Sequence, residues 1–238
     1  MQRLFLLCFI IPLFISCTAR ISGSLEADGS ASLSVNMSLE PRMTTLIQRL
    51  AAAGGAGGGA ILDSVAIAQS MSNAPGVASI RLRNTAPAAI EGTINISNIS
   101  EFLAAADAER GGQKRFINFE QGALGGSCRI NLNIENSPVI LELLSMDIAD
   151  YLNVLMAPLV TGEEMTRPEY LDLVASVFNR AISDEIASSR VRAYIDFPGP
   201  VTRVRGGTFS GRRAVFDIPL LDLLVLETPV ILEVEWRN

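Results

Sequence analysis

The chain has 238 residues, 49% hydrophobic and 18% charged, with a net charge of −6 and no histidine. There is enough apolar material for a substantial core, which excludes a disordered chain. The acidic balance argues against a general nucleic-acid binder, because phosphate neutralisation needs a basic surface. Without histidine, Ser/His/Asp and Cys/His catalysis and His-containing metal sites are all excluded. The expectation is no metal and no cofactor.

Met1-Gln2-Arg3 carries one positive charge, and residues 4–15 then run apolar. That run is shorter than the roughly 20 helical residues a bilayer core requires, so it reads as a secretory leader. It ends in Phe14-Ile15-Ser16-Cys17. A small residue just before a cysteine, directly behind the apolar run, resembles the lipobox of bacterial lipoproteins. Phe14 in place of the common Leu is closer to the relaxed, spirochaete-type form. The resemblance implies cleavage after residue 16, a diacylglycerol on the Cys17 thiol and an acylated amino terminus. Several acyl chains hold a protein on a membrane, whereas one does not. The competing reading is an ordinary signal peptide with Cys17 incidental. Thr18 follows Cys17 where an Asp would signal inner-membrane retention in enterobacteria, so inner and outer membrane, and periplasm and surface, stay open. On the lipobox reading Cys8 leaves with the leader and Cys17 would be acylated. Cys128 is then alone and the fold is held without an intramolecular disulfide.

Residues 21–40 alternate with period two. Ile21, Gly23, Leu25 and then Ala31, Leu33, Val35, Met37 and Leu39 oppose Ser22, Ser24, Ser32, Ser34, Asn36 and Ser38. Such alternation on both sides of Asp28-Gly29 predicts a hairpin with one dry and one wet face. Pro41 opens a helix over residues 43–53, which stops at the glycine-rich stretch 54–59. A second helix covers residues 60–72. Strands at 77–84 and 88–97, a short helix at 100–108 and strands at 115–120 and 127–135 follow. Asn136-Ser137-Pro138 begins a helical middle segment, about residues 137–188. Residues 139–159 are strongly apolar, but Glu142, Asp147, Asp150 and Pro158 favour two buried core helices over a membrane span. Thr166-Arg167-Pro168-Glu169 is a capping box, and Tyr170, Leu171, Val174, Phe178, Ala181 and Ile182 form one stripe of a single amphipathic helix. Strands return at residues 190–197, 201–205 and 213–218. A last strand directs Val230, Leu232, Val234 and Trp236 inward. The expected fold is α+β, a mostly antiparallel β-sheet with helices packed on one face, in one envelope domain over residues 17–238.

The hairpin behind the lipobox, Asp196-Phe197-Pro198-Gly199-Pro200-Val201 and Arg205-Gly206-Gly207 together resemble the LppM-like lipoprotein domain. The resemblance covers residues 17–39 and 190–236. It implies an exported α+β domain in contact with phospholipid or glycolipid. Mycobacterial members often add a C-terminal membrane helix, and this sequence stops at Asn238 without one. Residues 151–178 otherwise look like treponemal lipoproteins.

The chemistry-bearing residues mostly have plain structural roles. Residues 54–59 follow a helix, and the single lysine is Lys114, so a flexible linker fits better than a phosphate loop. Cys128, in register with Ile130, Leu132 and Ile134, reads as a small core residue with no histidine to activate it. Glu163-Glu164 and Asp147/Asp150 are the remaining carboxylate pairs, explained by solvation and helix starts; no calcium-loop spacing is present. Arg190, Arg192, Arg203, Arg205, Arg212 and Arg213 crowd into one stretch and suit an anionic headgroup. The duller account pairs them with Asp196, Asp217, Glu233 and Glu235. The expected function is a non-enzymatic, lipid-anchored envelope protein binding a lipid or amphiphile between sheet and helices, with residues 139–160 lining the site. The alternative is a structural or assembly lipoprotein docking an envelope protein partner. Nucleic acid is not an expected partner.

Overall fold

The structure, a computed structural model, describes residues 17–53, 61–109, 116–136 and 157–238. The alternation about Asp28-Gly29 forms the expected hairpin. Strand β1 (Cys17–Leu25) pairs antiparallel with β2 (Ala31–Leu39), from Leu25↔Ala31 to Cys17↔Leu39. Asp28 organises the turn by accepting from the Ser30 amide at 2.9 Å and the Ser30 hydroxyl at 2.7 Å. These bonds hold its carboxyl below the usual carboxylate range. β1 begins at residue 17 rather than 21 because its other edge is also paired. There it runs parallel to β7 (Arg190–Asp196), with Thr18 opposite Arg190.

The strands divide into two sheets where the sequence reading has one. β3 (Val77–Ala86), β4 (Ala89–Ile96), β9 (Thr208–Ser210) and β10 (Arg213–Pro219) complete a seven-stranded sheet in the order β3-β4-β2-β1-β7-β10-β9. β5 (Ile117–Gly122), β6 (Gly125–Leu132), β8 (Val201–Arg205) and β11 (Val230–Arg237) form a four-stranded sheet in the order β5-β6-β11-β8. Every pair is antiparallel except β1–β7.

Turn residues make the crossings. Phe197-Pro198-Gly199-Pro200 carries the chain from β7 to β8. There the Phe197 amide donates to Arg212 O at 2.9 Å and the Arg237 amide to Pro200 O at 3.0 Å. A Cβ at Gly199 would run into the Arg237 carbonyl, so only glycine fits. Gly206, at φ 77°, turns the chain back toward β9.

Seven helices lie among the described residues: α1 (Pro41–Ala53), α2 (Ser64–Met71), α3 (Ile99–Glu109), α4 (Ala157–Thr161), α5 (Arg167–Val177), α6 (Arg180–Ser188) and α7 (Leu220–Val225). The Thr166–Glu169 capping box forms as expected. The single amphipathic helix does not. It breaks at Phe178 and Asn179, where the Asn179 carboxamide accepts from the Ile182 amide at 3.0 Å and starts α6 afresh. Both halves still bury their stripe, with Tyr170, Val174, Ile182 and Ile186 inside. α2 begins at Ser64 because Asp63 caps it, accepting from Val65 and Ala66. The core helices expected within residues 139–159 fall largely outside the described residues, as does the glycine stretch 54–59. The fold class is α+β.

Candidate functional site

The dry face of the large sheet is built in cross-strand rows. One row reads Leu82, Gly92, Val35, Ile21, Ala193 and Phe216; the next reads Ile80, Ile94, Leu33, Gly23, Ile195 and Ala214. Helices cover part of this face and the small sheet covers the rest. The small sheet directs Cys128, Ile130, Leu132, Leu232, Val234 and Trp236 inward. Where two twisted sheets face each other, side chains of both must interdigitate to fill the gap. Here they fall short. Ala193 is small, Leu33 packs over Gly23, and Ile21, Leu33 and Ile195 in the middle of the large sheet remain half-buried while their strand neighbours Ala19, Leu25, Val35 and Val191 are buried.

The result is an apolar cavity of about 100 Å³ between the sheets. Its floor is β1, β2, β7 and β10, its roof is Phe119 of β5 with β6 and β11, and α3 closes one side with Ile99, Phe102 and Leu103. Twenty residues line it; Ser24, whose side chain belongs to the wet face by its register with Ser32 and Asp196, borders it at the end of β1, and the rest are apolar. Cys128 lines it too, and burial pushes its thiol up to about 12. A thiol so protonated is neither a nucleophile nor a metal ligand at neutral pH. Among the described residues no group of three or more His, Cys, Asp or Glu side chains could hold a metal ion.

Sequence reasoning places a ligand between sheet and helices, lined by residues 139–160. Those residues are mostly outside the described ones, and the described cavity lies instead between two sheets. The signal available in the sequence was Ala193, a small residue between Val191 and Ile195 on the dry face of β7.

The six arginines are placed apart. Arg190 and Arg192 stand on the wet face of β7 and share Asp217, at 2.6 Å and 3.5 Å. Arg213 makes a two-bond fork with Asp196, at 2.9 Å and 2.6 Å, which lowers the Asp196 carboxyl. Arg203, on the outer face of the small sheet, reaches Glu235 at 3.2 Å, and Arg205 stands opposite Glu233. Arg212 has a backbone role, its Nε donating to Phe197 O at 2.8 Å across the sheet crossing. Glu163 and Glu164 are exposed in the segment before α5, and Asp147 and Asp150 lie outside the described residues. Cys17 is the first residue of β1. No described helix is long and apolar enough to cross a membrane.

No family model matches the chain, and no curated protein matches it. Among solved structures it is similar to the folded domain of LppM from Mycobacterium tuberculosis, determined by NMR, at 10% identity and a TM-score of 0.45, covering 94% of this chain and 90% of that one.

Proposed function

We propose that this chain is a non-enzymatic envelope lipoprotein, anchored through acyl chains at Cys17, whose domain takes the apolar end of a lipid or other amphiphile between its two sheets. The observation that carries the reading is the lining of the inter-sheet cavity, apolar on every side, with Ser24 bordering it only from the end of β1. A cavity of this kind stays dry, and apolar ligands enter it without competing against ordered water. An engineered cavity of about 150 Å³ lined by similar residues admits benzene. At about 100 Å³ the space suits the last few carbons of one chain, with the polar end left outside. The leader and the Ser16-Cys17 junction support the anchor.

The test uses the full-length processed protein in detergent. Titration with a fluorescent polyene fatty acid gives saturable binding, and Ala193→Leu, which fills the floor, weakens it about tenfold or more. Equal binding by wild type and Ala193→Leu, with unchanged circular dichroism, overturns the cavity reading. The anchor is tested separately by Cys17→Ser, which abolishes detergent-phase partitioning if the reading is right.

A further inference from the structure

The wet face of the seven-stranded sheet carries a charge opposite to that of the whole chain. Its cross-strand rows follow from the registers. The row nearest the start of β1 holds Ser38, Thr18 and Arg190; the second reads Arg83, Glu91, Asn36, Arg20, Arg192 and Asp217. The third reads Arg81, Thr93, Ser34, Ser22, Tyr194 and Val215, and the fourth Ser79, Asn95, Ser32, Ser24, Asp196 and Arg213. None of these side chains is buried. The face thus presents six guanidiniums against the three carboxylates Glu91, Asp196 and Asp217, in a chain whose net charge is −6. Glu40 adds a fourth carboxylate at the margin, where it accepts the Thr18 hydroxyl at 3.0 Å.

Two of these arginines are held by no carboxylate among the described residues. Arg20 stacks over the Tyr194 ring, 4.7 Å from its centroid, and Arg81 has no ion-pair partner among the described residues. Arg81 borders a surface hollow of about 440 Å³ on β2, β4 and β3, together with Ser34, Asn36, Thr93 and the Arg83–Glu91 pair. Hydroxyls, an amide and a free guanidinium around one concavity suit a phosphate-bearing headgroup.

Position selects the partner. β1 is the central strand of the sheet, and it is paired from Cys17 onward. Given the anchor proposed above, no tether separates the acylated residue from the sheet. A lipoprotein domain on a long tether can turn any face to the bilayer; this one has its wet face beginning at Thr18, one residue from the acyl chains. At a rise of about 3.3 Å per residue, the four rows extend only about 20 Å from the anchor.

We propose that the wet face of the large sheet lies on an anionic phospholipid bilayer and seats a lipid phosphate in the hollow at Arg81. This rests on the lipid-anchor reading. Arginines near an anionic leaflet each strengthen association by about fivefold, within a Debye length.

The experiment places the acylated full-length protein on vesicles of phosphatidylcholine alone or with one-third phosphatidylglycerol. An environment-sensitive dye is attached at Ser32→Cys on the wet face or at Asn118→Cys on the outer face of the small sheet. Native Cys128 is buried and does not compete for the dye. The expected result is shielding of the Ser32 dye from acrylamide on anionic vesicles, about fivefold or more beyond neutral ones, with the Asn118 dye unaffected. High salt, and the pair Arg81→Glu with Arg192→Glu, remove the difference. Equal quenching of the Ser32 dye on both vesicles overturns the proposal. So does shielding by dextran sulfate in solution without shielding by anionic vesicles, which assigns the face to a soluble polyanion. A protein that floats with vesicles but keeps its wet face open leaves the anchor standing and removes only this inference. One that floats with neither loses both.

Discussion

Gln121 joins the two sheets to the hairpin turn: its Nε2 donates to Glu26 O at 2.9 Å and to Ala27 O at 3.1 Å. Gln121 ends β5 of the small sheet, while residues 26–30 link β1 and β2 of the large one. The Ile99 amide holds the same turn by donating to Gly29 O at 3.0 Å. The turn therefore bridges the cavity's three walls: large sheet, small sheet and α3. Gln121→Ala removes two neutral hydrogen bonds to exposed carbonyls that water can then reach, and with them a buried Oε1 that has no partner among the described residues. The expected loss is about 1 kcal/mol in urea unfolding, with faster hydrogen exchange at Gly29 and Ile99 and no change in the exchange of β7.

Trp236 is the large side chain that fills the other end of the inter-sheet space. It is 3% exposed, 4.8 Å from the Phe197 ring centroid and 6.1 Å from that of Phe119, and its indole N–H is buried without a partner among the described residues. Trp236→Phe gives up area but also removes an unsatisfied donor, so a loss of about 1 kcal/mol is expected. Trp236→Ala opens a cavity and costs about 3–5 kcal/mol. Gly126→Ala, which drives a methyl into the Trp236 ring and the Glu120 carbonyl, costs about 1–3 kcal/mol by overpacking. Chemical denaturation of the three variants orders them as alanine at 236, alanine at 126, then phenylalanine at 236. A Trp236→Phe variant as unstable as Trp236→Ala contradicts this account.

Local chemistry explains what was legible in the sequence. Period-two alternation specified most of β1 and β2 and the inward side chains of β11, because one face of an antiparallel strand is solvated. Thr166 and Glu169 specified the start of α5. Two features were not legible, since they depend on distant partners. The parallel pairing of Thr18 with Arg190 joins residues far apart in the chain, and nothing local to either marks it. The division into two sheets rests on where Gly199 and Gly206 send the chain, and turn residues announce a bend without its destination. The break at Asn179 was missed for a different reason. The apolar stripe continues across it, so periodicity alone favours one helix, and the cap on Ile182 decides the matter. Replacing Asn179 by Ala should cost about 1 kcal/mol. The cavity was illegible because alternation states which side chains point inward and not whether they meet.

Asp196 and Asp222 should respond to acid in opposite directions. The side-chain hydrogen bond from Arg213 holds the Asp196 carboxyl below its ordinary range. Its contribution is full above the unfolded pKa and is lost as pH falls through the lower, folded value. Burial raises the Asp222 carboxyl, despite Arg167 at 3.0 Å. The folded state is therefore penalised above that raised pKa, and the penalty is relieved as pH falls through it. Measured as wild type minus variant, the stability gap for Asp196→Asn shrinks on acidification below the ordinary carboxylate range. The gap for Asp222→Asn moves in favour of wild type, beginning at higher pH. Parallel shifts for the two variants in urea titrations across this range refute the assignment.

Cys128 reports on the cavity from inside it. Its side chain is 9% exposed, lies in the lining beside Ile130 and Val234, and has its thiol raised by burial to about 12. Because the raised pKa leaves almost no thiolate below pH 9, a bulky charged thiol reagent at pH 8 reacts only as fast as the fold opens. Native protein should therefore label many times more slowly than protein in denaturant. A small apolar reagent can enter the cavity without unfolding, so its rate should exceed that of the charged reagent by more than their ratio on a free thiol. An amphiphile whose chain occupies the space should suppress that excess while leaving the charged reagent's rate no higher than before. If the two reagents keep their free-thiol ratio in the folded protein, and added amphiphile changes neither, the space beside Cys128 admits no apolar guest.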